Sequence, residues 1–303
     1  MKKVLIIVGP TASGKTSISV ELAKHFNGEI ISGDSIQQYK GLDIGSGKVT
    51  EVEKQGITHY LIDTKDSKEP SDVASFQSEA REAIDTIDAK GKLPIVCGGT
   101  GLYIKALLYD YTFSENKPLD DTLQTKLDSL SNQELYDWLM RLDAASASKI
   151  HVNNRVRLQR ALTICLTNDL SKSEQENAQL HQPIYDAYII CLAWPRELLR
   201  QRISIRVDKM VNDGLVEEIE NLLLSGVTFS DPCMKGIGYK EFKEYANGNS
   251  DLDTVINAIK THSGQFAKRQ ETFFKHQFNN VHWIDMQQLN MDAVIEGISQ
   301  WLK

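Results

Sequence analysis

The sequence predicts an α/β fold in which a parallel sheet carries helices and is interrupted by a helical insertion domain. Short runs rich in Val and Ile, such as KVLIIV (3–8) and LPIVC (93–97), alternate with segments of helical periodicity. This alternation favours parallel strands joined by right-handed crossovers. From 111 to 185 the chain instead shows helical periodicity and no convincing strand. We therefore expect a core formed by residues 1–110 and 186–303 and an insertion formed by residues 111–185.

The first strand leads into a phosphate-binding motif. The run KVLIIV ends at Gly9, and residues 14–26 have helical spacing, so the segment GPTASGKT lies between a strand and a helix. It matches the pattern G-x-x-x-x-G-K-[ST], in which backbone N–H groups and a lysine bind linked phosphates and a threonine hydroxyl can ligate Mg²⁺. We expect a P-loop NTPase-like core with Thr16 as the metal ligand, and the following diphosphate-binding residues: Gly9, Pro10, Thr11, Ala12, Ser13, Gly14, Lys15 and Thr16.

Two further strands end in residues suited to the same site. EIIS is followed by Gly33 and Asp34, and LPIVC is followed by GGTG (98–101), while THYLID is another candidate strand and residues 72–90 predict an amphipathic helix. Ligands of open parallel sheets bind at the carboxyl ends of the strands. An aspartate beside Gly and Ser is usually a turn or cap residue. The position of Asp34 directly after a strand nevertheless predicts that it lies at the same edge of the sheet as the phosphate loop.

The chain after the insertion returns to the α/β pattern. DAYIICLAW predicts a strand, residues 195 to about 225 and 252 to about 278 predict long helices, and VHWID predicts a short strand before a closing helix. Residues on both sides of the insertion therefore complete one core.

Composition predicts a soluble protein of the cytoplasm. With 303 residues, of which 41% are hydrophobic, the chain can bury a full core. No stretch approaches the roughly 18 apolar residues of a membrane span, and the apolar run after Lys2 and Lys3 is too short for a signal peptide. The four cysteines are widely spaced without a C-x-x-C pair, so we expect reduced thiols, no disulfide and no zinc site.

Charge is unevenly distributed along the chain. The net charge of −7 argues mildly against nucleic-acid binding, which needs lysine and arginine at the phosphates. RVRLQR (155–160) and the arginines between 196 and 206 are nonetheless basic clusters in an acidic chain. A solvated helix face explains any one of them, but several beside a phosphate loop favour a nucleic-acid partner.

The loop motif alone does not distinguish ATP from another diphosphate. ATP-dependent proteins of this class usually hold their metal with an acid at the end of a second apolar strand, whereas LPIVC ends in GGTG. A small-molecule kinase would share the loop and the early aspartate but would need this second acid, which the chain lacks at the end of LPIVC. A nucleotide-dependent switch or assembly factor without chemistry of its own would have no need of Asp34.

Six dispersed motifs resemble the tRNA dimethylallyltransferase (tRNA isopentenyltransferase) family. They are GPTASGKT, ISGDSIQQYKGLDIGSGK, PIVCGGTGLYIKALL, RLQRAL, KGIGYKE and AKRQETFF, in the order and approximate spacing of that family. The resemblance implies transfer of a dimethylallyl group from dimethylallyl diphosphate to the exocyclic N6 amine of an adenosine, with release of diphosphate. The adenosine lies 3′-adjacent to the anticodon, in tRNAs that read codons beginning with U. A prenyltransferase acting on free adenylate would have little use for the insertion and the basic C-terminal helix.

The resemblance also implies roles for individual residues. Asp34, Thr11 and Arg206 would be catalytic, with Asp34 accepting the proton of the amine. Lys15, the loop amides, Arg206 and Mg²⁺ bound to Thr16 would neutralise the charge that develops on the leaving oxygen. The partners would be the tRNA anticodon stem-loop and dimethylallyl diphosphate, with no membrane and a monomeric enzyme.

The tRNA-binding residues are likewise carried over by resemblance. The target base would be extruded from its stack past Ser35, Gln37 and Thr100. A solvated basic face is the alternative for each basic segment. The full set is Asp34, Ser35, Ile36, Gln37, Thr100, Arg157, Leu158, Gln159, Arg160, Ala161, Lys235, Gly236, Ile237, Gly238, Tyr239, Lys240, Lys268, Arg269, Gln270 and Lys275.

The chain departs from the family pattern at five positions. Val152 and Asn154 stand where the motif HPND would place Pro and Asp, and Phe273 and Lys275 replace the common Trp and Arg. Gly264 replaces a usual Arg on the last long helix. The loss of this arginine weakens the tRNA-binding assignment for that helix and leaves the strand ends unaffected.

Overall fold

A six-stranded parallel sheet lies at the centre of the larger of two units into which the chain divides. The computed structural model describes residues 1–113, 119–168, 171–174 and 182–303. The larger unit is Met1–Tyr109 with Pro183–Lys303, and the smaller is Asp110–Gln182. The strands are β1 (Lys3–Val8), β2 (Gly28–Ser32), β3 (His59–Tyr60), β4 (Leu93–Gly98), β5 (Asp186–Ala193) and β6 (Val281–Asp285), in the order β3-β2-β4-β1-β5-β6. The predicted α/β fold with a parallel sheet is confirmed.

Helices connect the strands and cover both faces of the sheet. The side chains of β1 alternate, because Val4, Ile6 and Val8 pack with one cluster of helices and Leu5 and Ile7 with the other. The helices are α1 (Lys15–His25), α2 (Glu51–Lys54), α3 (Val73–Ala89), α4 (Gly101–Leu108), α5 (Asp121–Ser129), α6 (Asn132–Leu142), α7 (Ala144–Ala147), α8 (Arg155–Thr167), α9 (Arg196–Asn212), α10 (Leu215–Leu224), α11 (Lys243–Ala246), α12 (Leu252–Gln277) and α13 (Met291–Leu302), with 3₁₀ turns at Pro232–Lys235 and Lys240–Phe242.

Two elements differ from the sequence-based prediction because of left-handed backbone. The strand expected at THYLID is limited to His59–Tyr60, since Leu61 and Asp63 have positive φ and cannot continue it. The helical segment from 195 to about 225 is divided into α9 and α10, because Gly214 has a φ of +103°. Both differences arise from backbone dihedral angles, which the spacing of apolar residues in the sequence does not indicate.

The smaller unit is helical throughout its regular structure. Its helices α5, α6, α7 and α8 enclose a core that includes Leu127, Leu135 and Leu158, and its described residues contain no strand. The guanidinium of Arg155 donates to the carbonyls of Leu127, Asp128 and Leu130, at and just after the end of α5. These bonds satisfy carbonyls that the end of a helix leaves without partners.

Within the described ranges, no helix combines the length and the apolar character needed to cross a bilayer.

Candidate active site

The carboxyl ends of β1, β2 and β4 bring three loops to one edge of the sheet. Gly33 N–H donates to the Cys97 carbonyl (2.8 Å), and Thr100 N–H donates to the Gly33 carbonyl (3.3 Å). Gly98 packs on this backbone so closely that a Cβ there would overlap with Gly33. The loop that carries Asp34 and the GGTG segment therefore form one surface, beside the phosphate loop that follows β1.

Lys15 lies inside the phosphate loop. Its ammonium donates to the carbonyls of Gly9 (3.1 Å) and Pro10 (2.7 Å). Burial, together with the nearby charge of Arg206, lowers the pKa of Lys15 to about 8, while the charge of Asp34 acts in the opposite direction. An anion bound beside Lys15 would therefore stabilise the protonated form of its side chain.

Side chains from three distant segments fix the backbone of this loop. Trp194 Nε1 donates to the Ser13 carbonyl (3.0 Å), and Arg202 Nε donates to the Ala12 carbonyl (2.9 Å). The Arg202 guanidinium also lies 4.3 Å from the centroid of the Trp194 ring. The position of Arg202 in a basic cluster and of Trp194 at the end of a predicted strand did not indicate that both side chains contact the loop.

The third support is Gln270 of α12, a residue that the resemblance assigns to tRNA binding. Its Oε1 accepts from Thr11 N–H (2.9 Å), and its Nε2 donates to the Gly99 carbonyl (2.9 Å). The side chain is only 5% exposed. Both ends of this amide are therefore occupied by protein backbone, and Gln270 acts as a bridge between two loops of the site.

Asp34 and Arg206 complete the polar part of the site. Asp34 Oδ1 accepts from Ile36 N–H (2.9 Å) in a turn that fixes the carboxylate at the strand end. Burial lowers the pKa of Arg206, and the negative charge of Asp34 opposes that shift. The guanidinium rests on Gly47, where a Cβ would overlap with Nη2. The carboxylate of Asp34 therefore interacts electrostatically with two buried cations, Lys15 and Arg206.

A cavity of about 630 Å³ joins these polar groups to apolar walls. It brings together the three predicted catalytic residues, Thr11, Asp34 and Arg206. It also contains most of the predicted tRNA contacts of the larger unit, namely Ser35, Ile36, Thr100, Lys235, Gly236, Ile237, Gly238, Lys240 and Arg269, together with apolar side chains that include Ile203, Val207, Met210, Ile259 and Phe266.

A second cavity, of about 440 Å³, lies against the other side of the phosphate loop. Its lining includes Gly14, Thr16, Arg202 and Lys209. Arg206 lines both cavities. The phosphate loop and Arg206 therefore lie between the two cavities.

Three further residues predicted to contact tRNA are buried in this structure. Tyr239, Leu158 and Ala161 are 0% exposed. Tyr239 donates its hydroxyl hydrogen to Glu218, and the other two side chains belong to the core of the smaller unit. The motifs RLQRAL and KGIGYKE thus combine buried residues with the exposed Arg157, Arg160, Lys235 and Lys240.

The remaining predicted tRNA contacts have other surroundings. Gln37 accepts from Ser32 and donates to the Gly47 carbonyl, and Gln159 donates to Leu127 and Asp128 within the smaller unit. Lys268 and Lys275 line a separate groove of about 1190 Å³, which also contains Arg196, Arg200 and the exposed Trp283.

Comparison with known proteins relates this chain to one enzyme family. The family model described as IPP transferase matches residues 37–277. A protein from an Exiguobacterium species named tRNA dimethylallyltransferase is 46% identical over 98% of this chain and 96% of its own length, and one of the same name from Staphylococcus carnosus is 42% identical over 99% and 96%.

Solved structures show the same relationship. The tRNA isopentenylpyrophosphate transferase of Staphylococcus epidermidis is 40% identical, with a TM-score of 0.74 over 100% of this chain and 99% of its own. A eukaryotic dimethylallyltransferase acting on tRNA is 30% identical, with a TM-score of 0.83 over 98% of this chain and 78% of its own. With its phosphate loop, its Asp34 and Arg206 and this similarity along its whole length, the chain belongs to the tRNA dimethylallyltransferase (IPP transferase) family.

Proposed function

We propose that this protein transfers the dimethylallyl group of dimethylallyl diphosphate to the N6 amine of an adenosine in tRNA. The observation that carries the proposal is the single cavity in which Thr11, Asp34 and Arg206 meet beside the phosphate loop, with apolar side chains in the same wall. Polar groups of this kind suit a diphosphate and an amine, and the apolar side chains suit a short prenyl chain.

The diphosphate is bound by the phosphate loop. Backbone N–H groups of residues 14–16, at the start of α1, and the Lys15 ammonium contact the phosphate oxygens, and Arg206 adds a second buried positive charge. When the bond between the prenyl C1 and the bridging oxygen breaks, the electron pair leaves with the diphosphate. Cations fixed in place before the reaction stabilise this developing charge without reorganisation. Thr11, which also lines the cavity, provides a hydroxyl at the same edge.

Asp34 accepts the proton of the attacking amine. The new bond joins N6 to the prenyl C1, and nitrogen then carries a positive charge until it loses a hydrogen. The Asp34 carboxylate lines the cavity and is held at the strand end by its bond to Ile36 N–H. A base positioned in this way contributes about 10²–10⁴ in rate.

We include Mg²⁺ in the proposal, with the hydroxyl of Thr16 as its protein ligand. Thr16 lines the second cavity together with Glu53. The described residues contain no group of three or more His, Cys, Asp or Glu side chains placed to hold a metal. This donor set fits Mg²⁺, which is commonly held by one or two protein ligands, substrate phosphates and water. When bound, the ion would neutralise charge on the diphosphate.

The proposed acceptor is the anticodon stem-loop, at the adenosine 3′-adjacent to the anticodon in tRNAs that read codons beginning with U. Support comes from the exposed Lys235, Lys240 and Arg269 at the cavity and, in the smaller unit, from the exposed Arg157 and Arg160. Phosphate contacts from such residues would offset the few kcal/mol that base extrusion costs. A cytoplasmic location is part of the proposal, since all four cysteines are free thiols.

The test is an incubation with labelled dimethylallyl diphosphate, Mg²⁺ and either unmodified tRNA, AMP or no acceptor, each with and without ATP. Label in tRNA, without any need for ATP, is the expected result. Label in AMP alone would indicate a free-adenylate prenyltransferase. ATP turnover without prenyl transfer, abolished by Lys15→Ala, would instead identify a kinase and overturn the proposal.

A further inference from the structure

Loop 43–47 places its backbone against the guanidinium of Arg206. Gly45 and Ser46 line the cavity that contains Asp34 and Arg206, and Gly47 lies so close to Arg206 that a Cβ there would overlap with Nη2. Gly47 also has a φ of +59°, which residues with side chains rarely adopt. The position of the guanidinium therefore depends on the path of this loop.

Glu218, in the first turn of α10, holds loop 43–47 through three successive backbone N–H groups. Its Oε2 accepts from Asp43 (2.8 Å) and Ile44 (2.7 Å), and its Oε1 accepts from Gly45 (3.1 Å). Hydrogen bonds to a carboxylate are about twice as strong as bonds between neutral groups. A glutamine here would direct an NH₂ group at one or more of these N–H donors, so the charge and the two oxygens are both needed.

Tyr239 connects the same carboxylate to the next residue of the loop. Its hydroxyl donates to Glu218 Oε1 (2.8 Å) and accepts from Ser46 N–H (3.0 Å). Its ring packs on Gly45, where a Cβ would lie 2.6 Å from a ring carbon. Burial and the Glu218 charge raise the pKa of Tyr239, so the phenol remains a neutral donor. Four consecutive N–H groups of residues 43–46 are thus bound by two side chains.

We propose that Glu218 and Tyr239 are positioning residues for the transfer reaction, because they hold loop 43–47 and, through it, the guanidinium of Arg206. The proposal rests on the proposed function, in which Arg206 neutralises the leaving diphosphate. Neither side chain is among the described residues that line the cavity, so both act through the loop. A displacement of about 1 Å in a catalytic group can reduce the rate about 10²-fold.

The test compares Glu218→Gln and Tyr239→Phe with two matched controls, Glu220→Gln on the exposed side of the same helix and Tyr245→Phe. Single-turnover transfer, tRNA affinity and inhibition by inorganic diphosphate are measured for each. For Glu218→Gln we expect about a tenfold or greater loss of transfer rate and weaker inhibition by diphosphate, with tRNA affinity unchanged. Tyr239→Phe should show the same pattern to a smaller degree, and the controls should match the wild type.

A double-mutant cycle with Arg206→Ala tests whether the two residues act through the guanidinium. If they do, Glu218→Gln adds little to the loss already caused by Arg206→Ala, and the effects are non-additive. Additive losses, or wild-type transfer by a folded Glu218→Gln variant, would overturn the proposal. Thermal unfolding identifies the folded variants. Should Glu218→Gln fail to fold, Tyr239→Phe, which removes one oxygen atom, carries the same cycle. Failure of the proposed function would appear separately, as absence of transfer by the wild type.

Discussion

Asp34 shows how a single side chain can serve both the backbone and the reaction. One carboxylate oxygen accepts from Ile36 N–H, which fixes the turn, and the group also lines the cavity. An asparagine could keep the turn through its carbonyl oxygen but could not act as a base at neutral pH. The structural and the chemical roles of this residue can therefore be separated by one substitution.

For Asp34→Asn we predict a folded protein that binds both substrates but transfers the prenyl group roughly 10²-fold more slowly in a single turnover. Asp66→Asn, at an exposed aspartate that pairs with Lys40, is the matched control and should transfer normally. Near wild-type transfer by Asp34→Asn would remove this residue from the mechanism.

Lys15 makes the binding of diphosphate dependent on pH. Burial lowers its pKa to about 8, so in the free enzyme the charged form dominates below pH 8 and is lost as the pH rises through this value. Only the charged form attracts the anion. We predict that inhibition by inorganic diphosphate weakens above about pH 8. Lys15→Ala should bind diphosphate more weakly at every pH and should lack this inflection, which separates the lysine from the titration of the ligand itself.

Helix α12 has a structural role on one face and exposed basic residues on the other. One of its faces supports the phosphate loop and the GGTG segment through Gln270, and Phe273 packs against Gly101 at the start of α4. The opposite side carries Lys268 and Lys275. Substitutions on the first face should therefore affect the site, and substitutions on the opposite face should affect only the surface.

We predict that Gln270→Leu lowers the free energy of unfolding by about 1–3 kcal/mol, because it leaves Thr11 N–H and the Gly99 carbonyl buried without partners. Urea denaturation measures the loss. Gln265→Leu, at an exposed position of the same helix, is the control and should change stability by less than about 0.5 kcal/mol. Equal stabilities of the two variants would show that the bridge is dispensable.

Helix α8 belongs to the smaller unit and gives a prediction about RNA. Its exposed Arg157 and Arg160 lie on a helix whose apolar face, with Leu158 and Ala161, is buried. We predict that replacing both arginines with alanine weakens tRNA binding, leaves diphosphate inhibition intact and lowers the slope of log K against log salt by about one per lost phosphate contact. Arg141→Ala, on α6, is the control. An unchanged slope would mean that this face is only solvated.

Elements with strong periodicity could be predicted from the sequence, and so could the strand ends that form the site. The runs KVLIIV and LPIVC are buried on both faces of the sheet, which explains their continuous apolar character. The roles of Glu218 and Gln270 could not be predicted. Each depends on partners that lie far away in sequence, and a glutamate within VEEIENLL resembles any exposed helix residue until the loop it binds is known.

For the whole molecule, the separation into two units has a simple geometric basis. Tyr109 pairs with Pro183 in an antiparallel bridge, and Ile184 N–H donates to the Leu108 carbonyl (3.0 Å). The larger unit therefore has its two internal ends side by side. Removing the smaller unit would leave a gap that a short linker can close.

We predict that replacing residues 110–182 with a Gly-Ser linker leaves a core that unfolds cooperatively and binds inorganic diphosphate with near wild-type affinity. Its tRNA affinity should fall more than about tenfold, since the arginines of α8 are lost. Calorimetry and filter binding measure the two properties. A core that keeps full tRNA affinity would exclude the smaller unit from recognition.

The position of β1 has a consequence for synthesis on the ribosome. Of the six strands this one is made before the others, yet it lies between β4 and β5, and the loop that follows it is held by Gln270. At about 5–20 residues per second, on the order of ten seconds or more pass before that glutamine is made. For part of this interval, until β5 is made, the nascent KVLIIV segment lacks one of the two strands that flank it in the finished protein. The N-terminal strand is therefore where chaperone binding to the growing chain should concentrate.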